Sequence, residues 1–144
     1  MTLYSKAAAA LALFILASPA AAQDCYQWPL AARLAYDGDT FYMVAPGLPD
    51  SLQPVAIRPT GYDAPEIRGK CQAEQNHARE ARDWLRRRLS EAKTISLCNL
   101  SWDKYGGRVN ADVWLDRQPL AAAAIEVNAG RPYTGGRRVA WCKE

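Results

Sequence analysis

The stretch Tyr36-Asp37-Gly38-Asp39-Thr40-Phe41-Tyr42-Met43-Val44 reads as a turn running into a strand, and its surroundings decide the fold. Asp37-Gly38 between two apolar runs predicts a hairpin, with Gly38 expected to take positive φ. Arg33 to Tyr36 is the strand before the turn, and Thr40 to Val44, rich in β-branched and aromatic residues, is the strand after it. Ala45 to Ser51 carries two prolines and a glycine and reads as a loop. Pro54 to Arg58 reads as a third strand, ended by Pro59, which donates no ladder hydrogen bond. Thr60-Gly61-Tyr62-Asp63-Ala64-Pro65-Glu66 follows directly. Asp39 and Asp63 are thereby expected at the mouth of one sheet, with Glu66 and Arg58 beside them.

Working outward, residues 72–92 form the clearest helix. Ala78, Ala81, Trp84, Leu85 and Leu89 recur at helical spacing, with charged residues mostly on the other faces. Arg86-Arg87-Arg88 falls late in that helix, where positive charge suits the macrodipole, so it is read as a helix end and not as a nucleic-acid patch. His77 is the only histidine and has no second ligand near it in sequence, which makes it a helix-surface or packing residue and not a metal ligand. Thr94 to Leu100 and Arg108 to Leu115 alternate as fourth and fifth strands. Leu120 to Ala129 is a short Ala-rich helix that Gly130 ends. Trp102 and Trp114 are expected in the core. Three strands, a long helix, two strands and a short helix describe a mainly β, α+β chain: a five-stranded OB-fold barrel with the long helix between strands three and four.

A chain of 144 residues has room for one core, and a 23% charged, 49% hydrophobic composition is that of an ordinary globular protein. Residues 1–22 read as a cleaved export signal. Lys6 supplies the positive start, Ala7 to Ala17 an apolar run too short to span a bilayer, and Pro19-Ala20-Ala21-Ala22 the small residues of a cleavage site. Residues 23–144 would then be one domain, exported to the periplasm or secreted, with no membrane attachment and monomeric by default. The removed segment holds Lys6 and no acid, so the net charge of +3 becomes +2. That is compatible with a nucleic-acid partner without arguing for one. Cys25, Cys71, Cys98 and Cys142 are an even set, which in an exported domain reads as two disulfides with the pairing open.

The chemistry lies in the acids and arginines. A hard cation such as Ca²⁺ takes carboxylate, carbonyl and water oxygens. A phosphodiester takes guanidinium groups that grip two oxygens at once. Three segments carry both in order: Asp37-Gly38-Asp39-Thr40, then Arg58 with Asp63-Ala64-Pro65-Glu66, then Asp103-Lys104-Tyr105-Gly106-Gly107-Arg108. Together with Gly130-Arg131-Pro132-Tyr133 they make the chain similar to the staphylococcal nuclease (thermonuclease) family over roughly residues 31–136.

The resemblance implies a calcium-dependent endonuclease of low sequence specificity that cuts DNA and RNA and leaves 3′-phosphate ends. It implies Asp39, Asp63 and the carbonyl of Ala64 as calcium ligands, and Glu66 as the residue that orients or deprotonates the attacking water. Arg58 and Arg108 would hold the scissile phosphate. Lys104, Tyr105 and Tyr133 would line the bound nucleotide. Gly107 lengthens the third segment by one residue relative to the best-known member, and Pro59 stands where an aliphatic residue is usual. On the barrel so implied, Cys25 lies beside the strand that holds Cys98, leaving Cys71 for Cys142. The rival reading is a non-catalytic OB-fold that binds nucleic acid; such a module is expected to have lost several of Asp39, Asp63, Glu66, Arg58 and Arg108. A calcium-stabilised structural domain leaves the two arginines without a purpose.

Overall fold

The computed structural model describes residues 24–104 and 106–142; the export signal expected over 1–22 and Tyr105 lie outside them. The first half of the described chain is built from β1 (Cys25–Tyr26), β2 (Leu30–Ala35), β3 (Phe41–Met43), β4 (Val55–Pro59) and β5 (Gly61–Asp63). Then come α1 (Gln72–Glu91), β6 (Ile95–Trp102), β7 (Arg108–Leu115), β8 (Gln118–Pro119), α2 (Leu120–Glu126) and β9 (Arg131–Tyr133). The chain is therefore mixed α+β, mostly sheet, with two helices.

The main sheet has the order β1-β6-β7-β4-β3-β2, with β8 on β7, and β5 pairs with β9 in a separate ribbon. All of these pairs are antiparallel except β4 with β7. The hydrogen-bonded path does not close into the five-stranded barrel expected from the sequence. Its two end strands, β1 and β2, are instead consecutive in the chain and separated by Gln27, Trp28 and Pro29. Pro29 has no N–H to give; its carbonyl accepts from the Val44 N–H at 2.8 Å.

The core lies between the inner sheet face and the helices. Along β7, Val109, Ala111, Val113 and Leu115 are buried and alternate with half-covered residues, as a strand with one apolar face must. Phe41, Met43, Ile57 and Leu97 meet them from neighbouring strands, and Leu85 and Leu89 of α1 are fully covered. Burying a leucine of this kind contributes roughly 1.5–3 kcal/mol. Arg86 donates to the Ala35 carbonyl at 2.8 Å and so fastens α1 to β2.

Both helix and turn correct one expectation. Gly38 does not adopt positive φ. Glycine is required there by proximity: a Cβ would sit 2.8 Å from the Cβ of Ala64 and 2.8 Å from that of Ala81 on α1. The second helix ends at Glu126 and not at Ala129, in a turn where Asn128 takes φ 58°. Disulfides join Cys25 to Cys98 and Cys71 to Cys142, the pairing the family resemblance implied. They match an oxidising environment, and among the described residues no helix is long and apolar enough to cross a membrane.

Candidate functional site

The β2–β3 turn, the end of β4 and the segment after β5 converge on one spot. Asp39, Asp63 and Arg58 are all nearly covered, at 5%, 4% and 7% exposure. Arg58 forms ion pairs with both Asp39 and Asp63, the latter at 3.4 Å, and donates to the Asp39 carbonyl at 3.3 Å. The Asp39 carboxylate also accepts from the Ala64 N–H at 2.8 Å, so its side chain ties the two acidic segments together. Tyr62, wholly buried, donates its hydroxyl to the Gly38 carbonyl at 2.8 Å and fixes the turn from below. Asp37 accepts from the Asp39 N–H at 3.0 Å, the local turn role its position implies.

Glu66 stands at the exposed side of this group. Its backbone is held by Glu74, which sits in the first turn of α1 and accepts from the N–H groups of Glu66 at 3.4 Å and Lys70 at 2.9 Å. An acid in that turn also suits the helix macrodipole.

Sheet register aligns the arginines. In the parallel β4–β7 pair, Arg58 lies opposite Asn110 and Ala56 opposite Arg108. Arg58 and Arg108 are thus two residues out of step on adjacent strands and share a face. With strands about 4.8 Å apart and about 3.3 Å per residue, their Cα atoms are on the order of 8 Å apart. Both line one cleft of about 700 Å³, together with Lys104, Tyr133 and Arg138. Arg108 is oriented by Asp103 at 2.9 Å. Tyr133 reaches the site through the β5–β9 ribbon, where it pairs with Gly61, and donates its hydroxyl to the Gly136 carbonyl at 2.8 Å.

Two residues here were not read correctly from sequence. Trp102, expected in the core, is 72% exposed on the rim of the same cleft. Arg138 lies in the C-terminal segment, outside every motif. Its Nε is 3.0 Å from Asp63 Oδ1 and its Nη1 pairs with Glu66 Oε1. Trp114, also expected in the core, is half-covered on the outer face of β7. His77 packs as read: its Nε2 is 2.6 Å from the Asn128 carbonyl oxygen and its ring meets Trp141 edge-on.

The charges at the site are unbalanced. Among the described residues, Arg58 and Arg138 are the ion-pair partners of Asp39, Asp63 and Glu66, and Asp37 adds a fourth acid beside them. Burial and the neighbouring Asp39 push Asp37 up to about 7. Burial pushes Asp63 up as well, against the pull of Arg138. Burial alone would lower Arg138, but Asp63, Glu66 and Asp39 outweigh it and raise it further. An all-oxygen donor set with surplus negative charge fits a hard cation. A second grouping, Cys71, Glu74 and Cys142, has ligand-type atoms within 4.8 Å of one another. Its two sulfurs are consumed in a disulfide, which leaves no thiolate to coordinate.

No curated protein matches the chain. The sequence model of the staphylococcal nuclease homologue family matches residues 56–130, just over half of the chain and the span from β4 to the turn after α2. The chain belongs to the staphylococcal nuclease homologue family.

Proposed function

We propose that this staphylococcal nuclease homologue is an exported, calcium-dependent endonuclease that hydrolyses phosphodiester bonds of DNA and/or RNA with low sequence specificity, acting as a monomer. The observation that carries the reading is Arg58. One buried guanidinium clasps the carboxylates of Asp39 and Asp63 and opens into the cleft that Arg108 also lines. On this reading, cation ligands and phosphate-binding groups are contiguous.

In this reading Asp39, Asp63 and the carbonyl of Ala64 hold the calcium, which when bound supplies positive charge to the phosphoryl oxygens. Arg58 and Arg108 grip the non-bridging oxygens, where negative charge grows as water adds to phosphorus. Glu66 accepts a hydrogen bond from that water and takes its proton as the P–O bond forms. The bond from phosphorus to the 5′ oxygen then breaks, the 5′ oxygen leaves as a hydroxyl with a proton from solvent water, Glu66 returns its proton to solvent, and a 3′-phosphate remains. Lys104, Tyr105 and Tyr133 flank the nucleotide. The retention of all five acid and arginine positions speaks against a binding module that has lost its chemistry.

The test is cleavage of single-stranded DNA by the mature protein, with Ca²⁺ and with a chelator, beside Glu66→Gln. Wild-type cleavage is expected to require calcium, and the variant to lose roughly 10²–10⁴-fold in rate. Strand binding without cleavage in the wild type would instead establish the binding module. Cleavage that survives both chelator and substitution would show that these residues do not carry the reaction.

A further inference from the structure

Arg138 is placed by a built anchor. Four residues beyond it, Cys142 is bonded to Cys71 at the start of α1. Trp141 is covered by the Arg131 guanidinium, 3.4 Å from the ring centre, and is met edge-on by His77. Arg131 also donates to the Ala140 carbonyl at 3.2 Å. The backbone near Arg138 is thus fastened, while its side chain remains 39% exposed. That side chain lines two clefts at once. One, of about 430 Å³, holds Asp63 and Glu66. The other holds Arg58, Arg108 and Lys104.

We propose that Arg138 is a partner-exchanging arginine: it neutralises Asp63 and Glu66 while no cation is bound, and grips a substrate phosphate once the cation has taken the carboxylates. This rests on the reading of the site as a calcium-dependent nuclease. A guanidinium and a divalent cation compete for the same Asp63 oxygens, so loading the site releases Arg138. The released fork has donors suited to two phosphate oxygens and already borders the cleft where they would lie. Because its backbone is fastened at Ala140, Trp141 and Cys142, the exchange needs only rotation about side-chain bonds. The exchange also leaves Glu66 unpaired when its water must be positioned.

The consequence is a pair of opposite shifts, which a merely structural arginine does not produce. Removing Arg138 strengthens calcium binding in the absence of nucleic acid and weakens nucleic-acid binding in the presence of calcium. The experiment is calorimetric titration of Ca²⁺ alone into wild type, Arg138→Ala and Arg138→Lys. Anisotropy of a phosphorothioate single-stranded oligonucleotide in saturating Ca²⁺ accompanies it, with thermal unfolding as the folding control. Arg138→Ala is expected to bind calcium several-fold more tightly and the oligonucleotide about tenfold more weakly, the loss of one charged hydrogen-bonded contact. Arg138→Lys, which keeps the charge and loses the fork, is expected between the two. Affinities that both fall, or that both stay unchanged, would overturn the exchange while leaving the nuclease reading intact. Wild type that binds neither calcium nor the oligonucleotide would overturn both.

Discussion

Replacing Arg58 by methionine removes the charge that Asp39 and Asp63 share while keeping most of the side chain's volume. All three groups are more than nine-tenths covered, so water cannot take over the role of the guanidinium. Breaking a buried pair from one side leaves uncompensated charge and costs about 3–5 kcal/mol. Here two carboxylates are left, and among the described residues Asp63 alone keeps a direct ion pair, with Arg138. The loss should therefore lie in the upper part of that range, a large fraction of the roughly 5–15 kcal/mol that holds a domain together. The assay is urea unfolding of wild type and Arg58→Met, each in chelator and in saturating Ca²⁺. Calcium at a hundred times its Kd stabilises a native state by about 2.7 kcal/mol. The variant should gain more than wild type, because the cation then replaces the missing counter-charge, and the gap between the two should narrow. A loss below about 1 kcal/mol in chelator, or a gap that calcium leaves unchanged, would refute the assignment of Arg58 as counter-ion to a cation site.

Gly38→Ala should destabilise by about 1–3 kcal/mol in thermal unfolding, since the new methyl meets Ala64 and Ala81 at 2.8 Å and neither neighbour can rotate away; a neutral result would mean that the turn and α1 separate freely. Trp102→Ala should leave stability within about 0.5 kcal/mol yet weaken single-stranded oligonucleotide binding by about 1–3 kcal/mol for a base stacked on the exposed indole, and equal binding by both proteins would remove Trp102 from the substrate path. Asp116 accepts from the N–H group of Thr94 and, with smaller effect, from that of Lys93, which hold its pKa below the usual carboxylate value of 3.8. A lowered folded-state pKa stabilises above 3.8 and the benefit is lost as pH falls through the folded value, so the melting-temperature advantage of wild type over Asp116→Asn should be present at pH 6 and shrink in stronger acid.

The acid and arginine residues were legible in the sequence because each belongs to a short local segment whose strand or turn sets its direction. Asp39 follows a hairpin turn, Arg58 lies one residue before the end of a strand, and β7 begins at Arg108 as its alternation required. Arg138 was not legible. No regular element carries it, and its placement comes from a disulfide and from aromatic contacts far along the chain. Trp102 was misread because aromatic character alone argued for the core; along β6 the strand pattern is broken by an irregularity between Cys98 and Ser101, with Asn99 at φ 53°. An extra residue there reverses which face the following side chains take. It sets Trp102 opposite the buried Val109 and on the same face, but at the last position of β6, where the indole is left 72% exposed. Gly38 was recognised as necessary for the wrong reason, since a sequence shows turn propensity but not the approach of a distant helix. The β5–β9 ribbon was missed because three-residue strands carry too little pattern to stand out.

The two disulfides span 25–98 and 71–142, and the spans overlap. Any single break in the backbone between Cys25 and Cys142 therefore leaves both fragments joined through at least one sulfur–sulfur bond. A protease that nicks the loop between Trp102 and Arg108 cannot release either piece. The cut protein would keep its mass, apart from one added water, until it is reduced, and would then separate into two chains. For a molecule exposed to proteases, this makes a first cut survivable and places irreversible loss at the second.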